Sequence, residues 1–237
     1  LRSLRLGEKH KKATTLAEAL LTYIMHKSEK FWNRVASKSS EKPGGTSLQV
    51  IQQSQKYLTP EDAILDIGCG NGSITTELAK AVKHVDAIDI SSRMLEFAQE
   101  AAERKSIRNI DFRKATLEDL STADRSYSVV TAFSVLHYIE DTTGFARQVY
   151  ELLNPVGYFI SSTPCLGDKK SSMNKLVLFL SKIRILPPVW FYKKEELESS
   201  LKKAGFEMVE AEMISEMQEN FLVAKKTVKN AHATQPN

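Results

Sequence analysis

The sequence predicts an α/β fold in which a mostly parallel sheet carries helices on both faces, and three observations predict it. Ala63-Ile64-Leu65-Asp66-Ile67 is an almost unbroken apolar run, the mark of a strand buried on both sides. Gly68-Cys69-Gly70-Asn71-Gly72 follows, with glycines at alternate positions that let the backbone turn sharply into a helix. His84 to Ile90 then reads as the next strand and ends in an acid, Asp89, roughly 20 residues beyond Gly68, the spacing at which a carboxylate meets ribose hydroxyls. Together these stretches specify a nucleoside-bearing cofactor.

The length, 237 residues, suits one α/β domain with an accessory segment. Apolar residues at 42% and charged residues at 26% are ordinary for a soluble globular protein. The net charge of +4 is spread along the chain and falls short of the dense Lys/Arg stripe of a nucleic-acid binder, so no nucleic-acid partner is expected. Cys69 and Cys165 are the only cysteines, so no disulfide framework or metal-ligand spacing is available, and the expected location is cytoplasmic. No apolar run approaches the roughly 20 residues that span a bilayer.

Taken in order, residues 1–45 read as an amino-terminal helical segment, with a basic amphipathic stretch leading into Leu16 to Leu21, and residues 1–24 read as either a surface helix or dispensable. Ser37 to Gly45 is a loop. Thr46-x-x-Gln49 predicts a capping box opening a helix through Tyr57, with Leu48, Ile51 and Tyr57 inward. A helix over Gly72 to Val82 buries Ile74, Leu78 and Ala81; the next, capped by Ser91 or Ser92, buries Met94, Leu95, Ala98 and Ala102. Asn109 to Arg113 is a third strand and Tyr127 to Phe133 a fourth, buried on both faces. A helix with Phe145, Val149 and Leu152 inward ends at the turn Asn154-Pro155-Val156-Gly157, which leads into a fifth strand, Tyr158 to Ser162. After a helix starting near Tyr192, Phe206 to Met213 and Asn220 to Lys225 are the last strands, and residues 227–237 form a flexible tail.

The stretch Ile64 to Gly72, followed by Asp89-Ile90-Ser91 and Met94, resembles the signature of class I S-adenosylmethionine-dependent methyltransferases. The resemblance runs from about Phe31 to Lys225 and implies a Rossmann-like seven-stranded, mostly parallel sheet with one antiparallel strand near the C-terminus, in a domain over residues 46–226. It implies S-adenosyl-L-methionine as cofactor, held by Asp66, Gly68, Cys69, Gly70, Asn71, Gly72, Asp89, Ile90, Met94, Thr116, Leu117, Glu118, Phe133 and Ser134. The acid that the family commonly carries one residue before Leu117 is here Thr116, which leaves adenine to backbone near Leu117 or to Glu118. Lys30 to Ala36 is similar to the Phe-Trp-x-x-x-Ala stretch near which family members often begin.

The residues argue in the same direction. Asp66 repels a pyrophosphate but suits the ammonium and sulfonium of that cofactor, and Ser73 stands where a dinucleotide loop needs its third glycine. Few residues are needed for methyl displacement beyond those that orient the acceptor and, for oxygen or nitrogen, remove a proton. His137, after the fourth strand, is the candidate general base; a packing role is the alternative. Tyr138, Trp190 and Tyr192 are candidate walls of the substrate pocket, and Tyr23 or Trp32 would cover the cofactor if the amino-terminal segment folds over it.

An apolar insertion at about 164–190 reads as a helical lid, and its flanking Lys169, Lys170, Lys175, Lys182 and Arg184 also permit transient contact with an anionic membrane. Its apolar character favours transfer to an O, N or C atom of a small, lipophilic acceptor. The alternatives are a protein or nucleic-acid acceptor, a non-catalytic cofactor-binding protein, and a nicotinamide-dependent oxidoreductase, the last disfavoured by Ser73 and Asp66. No metal is expected, and nothing in the sequence specifies an oligomeric state.

Overall fold

The computed structural model describes residues 27–37, 42–121, 126–168, 172–183, 185–214 and 219–227. The amphipathic stretch around Leu16, Tyr23, Lys169, Lys170, Arg184 and the tail beyond Thr227 lie outside the described residues. Seven strands form one sheet: β1 (Ala63–Ile67), β2 (His84–Asp89), β3 (Ile110–Lys114), β4 (Tyr127–Phe133), β5 (Leu153–Pro164), β6 (Phe206–Met213) and β7 (Glu219–Lys226). Their order is β3-β2-β1-β4-β5-β7-β6, and β7 alone runs antiparallel, to both β5 and β6.

The unbroken apolar runs of the central strands are explained by cores on both faces. Leu65, Ile67, Val130, Ala132 and Phe159 pack on one side with Phe145 and Val149 of α5 (Thr142–Leu152) and Leu197 of α7 (Lys194–Ala204). Ile64, Val85, Val129 and Ile160 pack on the other with Val50 and Ile51 of α2 (Gly45–Gln55) and Leu78 of α3 (Thr75–Leu78). Alternate residues of one strand thus serve opposite cores, as a sheet covered on both faces demands. Three further helices complete the described fold: α1, whose described part is 27–36, α4 (Ser92–Arg104) and α6 (Ser172–Lys182).

Several boundaries differ from the sequence reading. The helix α2 begins at Gly45 with Gly44 as its cap and no side-chain cap bond, so Thr46 lies inside the first turn; Leu48 is 55% exposed while Val50 takes the inward place. The helix expected over Gly72 to Val82 is α-helical only at Thr75–Leu78 and tightens to a 3-10 turn at Ala79–Ala81, where the Asn109 side-chain amide donates to the carbonyls of Ala79 and Val82. The strand β5 starts at Leu153 rather than Tyr158. Leu153 pairs with Tyr127 and Tyr158 with Val129, so the Asn154 to Gly157 turn is an irregularity inside the strand, with Val156 at φ +61°. The helix α7 starts at Lys194, two residues after Tyr192.

Candidate active site

The strand order reverses between β1 and β4, and in such sheets the crevice outside the carboxyl ends of the strands is where ligands bind. A cavity of about 660 Å³ opens there, walled by the segments that follow β1, β2, β3 and β4. A second depression of about 580 Å³, against α4 and β3, has none of these loops in its wall.

The loop after β1 is held in place by its backbone. The amides of Gly68 and Cys69 both donate to the carbonyl of Ile88 at 2.8 and 3.0 Å, which ties the turn to the end of β2. Gly68 has φ +69° and a Cβ there would stand 2.6 Å from Val135 Cγ2, so only glycine fits. Asp89 ties the loop from the other side, accepting from the amides of Gly70 at 2.9 Å and Ser91 at 2.8 Å. Burial raises the Asp89 carboxyl above its ordinary value, and these backbone bonds work against that rise.

Asp66 is 2% exposed, and each of its carboxylate oxygens accepts a threonine hydroxyl, from Thr75 at 2.6 Å and Thr131 at 2.7 Å. Burial raises it to about 6, with the two hydroxyls acting in the opposite direction. The thiol of Cys69, between the two loop glycines, is pushed well above its ordinary range, chiefly by burial and then by Asp89 and Asp66. Cys69 is half-buried in the cavity wall, and a thiol held in its protonated form is a poor nucleophile near neutrality.

The cavity wall contains Asp66, Gly68, Cys69, Gly70, Asp89, Ile90, Met94, Thr116, Leu117, Glu118, Phe133 and Ser134 of the residues the sequence singles out for the cofactor. Asn71 and Gly72 stand behind it: Asn71 Oδ1 accepts from the Ser73 amide, and Gly72 packs on Ala98. Tyr138 and Trp190 line the cavity; Tyr192 does not, and its hydroxyl donates instead to the carbonyls of Ile139 at 2.7 Å and Glu140 at 2.8 Å. His137 is also outside the wall. It is 8% exposed, its Nδ1 has no hydrogen-bond partner among the described residues, and burial lowers its pKa to about 4.

Two parts of the wall come from segments distant in the chain, and of their residues Ser28, Pro187 and Pro188 carry no local sequence signal. Ser28 and Trp32 of α1 line the cavity, and α1 is docked by Asn33, whose Oδ1 accepts from Ser91 Oγ at 2.6 Å and the Arg93 amide at 3.2 Å, and by Glu29 paired with Lys114 at 2.5 Å. Pro187 and Pro188 join them from the arm that follows α6, and the Trp190 amide on that arm donates to the His137 carbonyl at 2.9 Å. Trp32 meets Tyr138 edge to face at 5.4 Å between centroids. The helix α6 itself leaves Leu176 and Phe179 exposed, and none of its described side chains stands in the wall.

A family model described as a methyltransferase domain matches residues 58–205. Over 152 residues the chain is 34% identical to the ubiquinone biosynthesis O-methyltransferase of Azorhizobium caulinodans, covering 62% of this chain and 59% of that protein. To the ubiquinone biosynthesis O-methyltransferase of Cereibacter sphaeroides it is 31% identical, covering 62% and 61%. The chain therefore spans less than two thirds of either curated relative. Among solved structures, magnesium protoporphyrin IX methyltransferase from Synechocystis PCC 6803 with bound SAH superposes with a TM-score of 0.61 at 22% identity, covering 77% of this chain and 84% of that one. At that identity the likeness is one of fold.

Proposed function

This chain belongs to the class I S-adenosylmethionine-dependent methyltransferase family, and from that premise we propose that it binds S-adenosylmethionine and directs the methyl group to a hydroxyl oxygen of a small, largely apolar acceptor. When bound, the sulfonium supplies an electrophilic methyl group and leaves as a neutral thioether. The observation that carries the proposal is that one cavity is lined both by Asp66 and Asp89 beside bare glycine backbone and by Trp32, Tyr138, Pro188 and Trp190.

The residues fit that cofactor. A Cβ at Gly70 would meet nothing within 4 Å, so the loop leaves room for a ligand against its backbone. Asp89 has both oxygens fixed by loop amides, with lone pairs left to accept hydroxyls of a ribose. The oxygens of Asp66 are already engaged, which makes it a source of negative field toward a cationic ligand rather than a direct partner. Met94, Ile90 and Leu117 supply the apolar surface an adenine ring needs. Oxygen as the acceptor atom is the chemistry named in the O-methyltransferase relatives, and the aromatic and proline wall supports a small apolar molecule over a polymer.

Titration calorimetry with S-adenosylmethionine, S-adenosylhomocysteine and a nicotinamide dinucleotide tests the reading, with Asp89→Ala as control. Binding of the first two, weakened in the variant, is the expected result. Binding of the dinucleotide alone, or of none, removes the proposal.

A further inference from the structure

The strand β4 does not stop at Phe133 in an ordinary way. Ser134 follows with φ +55°, a left-handed backbone that few L-residues adopt and that is held here by its amide donating to the Ser162 carbonyl at 2.7 Å. The conformation leaves Ser134 exposed on the cavity wall. Behind it lies Glu219, the first residue of β7, only 9% exposed. The antiparallel register sets Glu219 opposite Pro164 and Phe221 opposite Ser162, so the Ser162 side chain shares a face with Glu219, and Ser162 Oγ donates to its carboxyl. The Ser134 side chain hydrogen-bonds the same carboxyl. A buried acid is thus joined to the cavity by one exposed hydroxyl.

We propose that Ser134 contacts the acceptor hydroxyl and that Glu219 acts through Ser134 as the positioning residue that receives its proton. The inference rests on the methyltransferase reading and specifies a protic acceptor. The acceptor proton passes to Ser134 Oγ while the hydroxyl proton of Ser134 passes to the Glu219 carboxylate. The acceptor oxygen keeps the electron pair, and one negative charge moves from Glu219 to the acceptor. A hydroxyl is suited to this because it donates one proton and accepts with two lone pairs.

The surroundings favour Glu219 over other groups. Burial raises its carboxyl toward neutrality, where a base is most effective, while both serine hydroxyls pull the other way. Cys165, which senses the charge of Glu219, is pushed to about 12 by burial, and burial also pushes the Tyr138 phenol in the cavity to about 12, so both stay neutral in the working range. His137, at about 4, titrates below that range and lies outside the wall. Asp66, at about 6, and Asp89 share the cavity, so a pH profile alone would not separate them from Glu219.

Ser162→Ala separates them. It removes one donor to the Glu219 carboxylate and leaves the Ser134 link intact. Carboxyl-labelled NMR of the full chain should show Glu219 titrating about one pH unit higher in the variant. The acid limb of kcat/KM for methylation of catechol, whose hydroxyls stay protonated near neutrality, should rise by the same amount. Glu219→Gln should lower kcat about 100-fold or more with KM for the methyl donor unchanged, and Glu219→Asp should recover part of the loss. The inference is overturned by a Glu219 titration that moves while the acid limb stays, or by full kcat in Glu219→Gln. It also falls if calorimetry shows the donor bound and catechol is not methylated between about pH 6 and 9. Failure to bind the donor at all would instead remove the methyltransferase reading.

Discussion

The Gly70 amide donates to Asp89 Oδ2 at 2.9 Å, which makes the acid at the end of β2 a clamp on the loop after β1 as well as a wall of the cavity. Asp89→Ala loses the clamp and any ligand contact together. The expected loss of S-adenosylmethionine affinity is about tenfold to a hundredfold, the value of a charge-assisted hydrogen bond of roughly 1.5 to 3 kcal/mol. Asp89→Asn should lose nearly as much, because an amide NH₂ turned toward either the Gly70 or the Ser91 N–H opposes donor to donor. Calorimetry on both variants checks this, and a fully active Asn variant would contradict the clamp.

Gly72 and Gly70 both have positive φ and should fail differently. A Cβ on Gly72 would lie 2.9 Å from Ala98 Cβ and 3.1 Å from Ala98 Cα, whereas one on Gly70 meets open space. Gly72→Ala should cost about 2 to 4 kcal/mol from overpacking plus backbone strain. Gly70→Ala should cost only the strain, about 1 to 2 kcal/mol, with cofactor affinity reduced. Urea midpoints against calorimetry distinguish the two losses.

Asp66 and His137 oppose each other in the pH dependence of folding. Asp66, raised from 3.8 to about 6, keeps its proton in the folded state up to about pH 6 and is ionised near neutrality, so its contribution is present below its unfolded pKa and is lost as pH rises through about 6. His137, lowered from 6.5 to about 4, is neutral when folded, so its contribution is present above its unfolded pKa and is lost as pH falls through about 4. Each amounts to about 3 kcal/mol. Between about pH 4 and 6 these two contributions should therefore offset each other. His137→Phe should expose a decline on raising pH, and Asp66→Asn a decline on lowering it, both read by urea unfolding.

The protein has two tryptophans, and both Trp32 and Trp190 line the cavity. Intrinsic emission should accordingly report ligand entry without any label. Trp32→Phe and Trp190→Phe should each remove part of the change produced by S-adenosylhomocysteine and 4-nitrocatechol. Asn33→Ala, which undocks α1 from Ser91 and Arg93, should diminish the Trp32 share alone. An emission spectrum unmoved by a ligand that calorimetry shows bound would contradict this wall.

The stretch from Ala63 to Gly72 was legible because its signals are local. A doubly buried strand must be apolar throughout, and a turn with positive φ at Gly68, Gly70 and Gly72 selects glycine at those places. The same holds for β4, whose Tyr127–Phe133 bounds match the apolar run, and for the Ser91 cap, whose Oγ accepts from the Met94 amide at 3.1 Å. Where two local signals compete the reading slips. Thr46 offered a cap that Gly44 displaced, and Asn154 to Gly157 offered a turn that the pairing of Leu153 with Tyr127 drew into β5.

What the sequence by itself determined was the order of elements, the sheet class and the loops after β1 and β2 that wall the cavity, since each depends on residues close together in the chain. Tertiary structure alone decided the remainder. Asn33 meets Ser91 across 58 positions, Ser162 meets Glu219 across 57, and His84 comes within 3.6 Å of Asp111 because β2 and β3 pair in parallel. It also buries His137 outside the cavity wall, and it sets Glu219, itself buried, against Ser162 behind that wall. Periodicity and turn chemistry record which side of an element is covered, but not which distant residue covers it; that choice is made only when the whole sheet closes around its two cores.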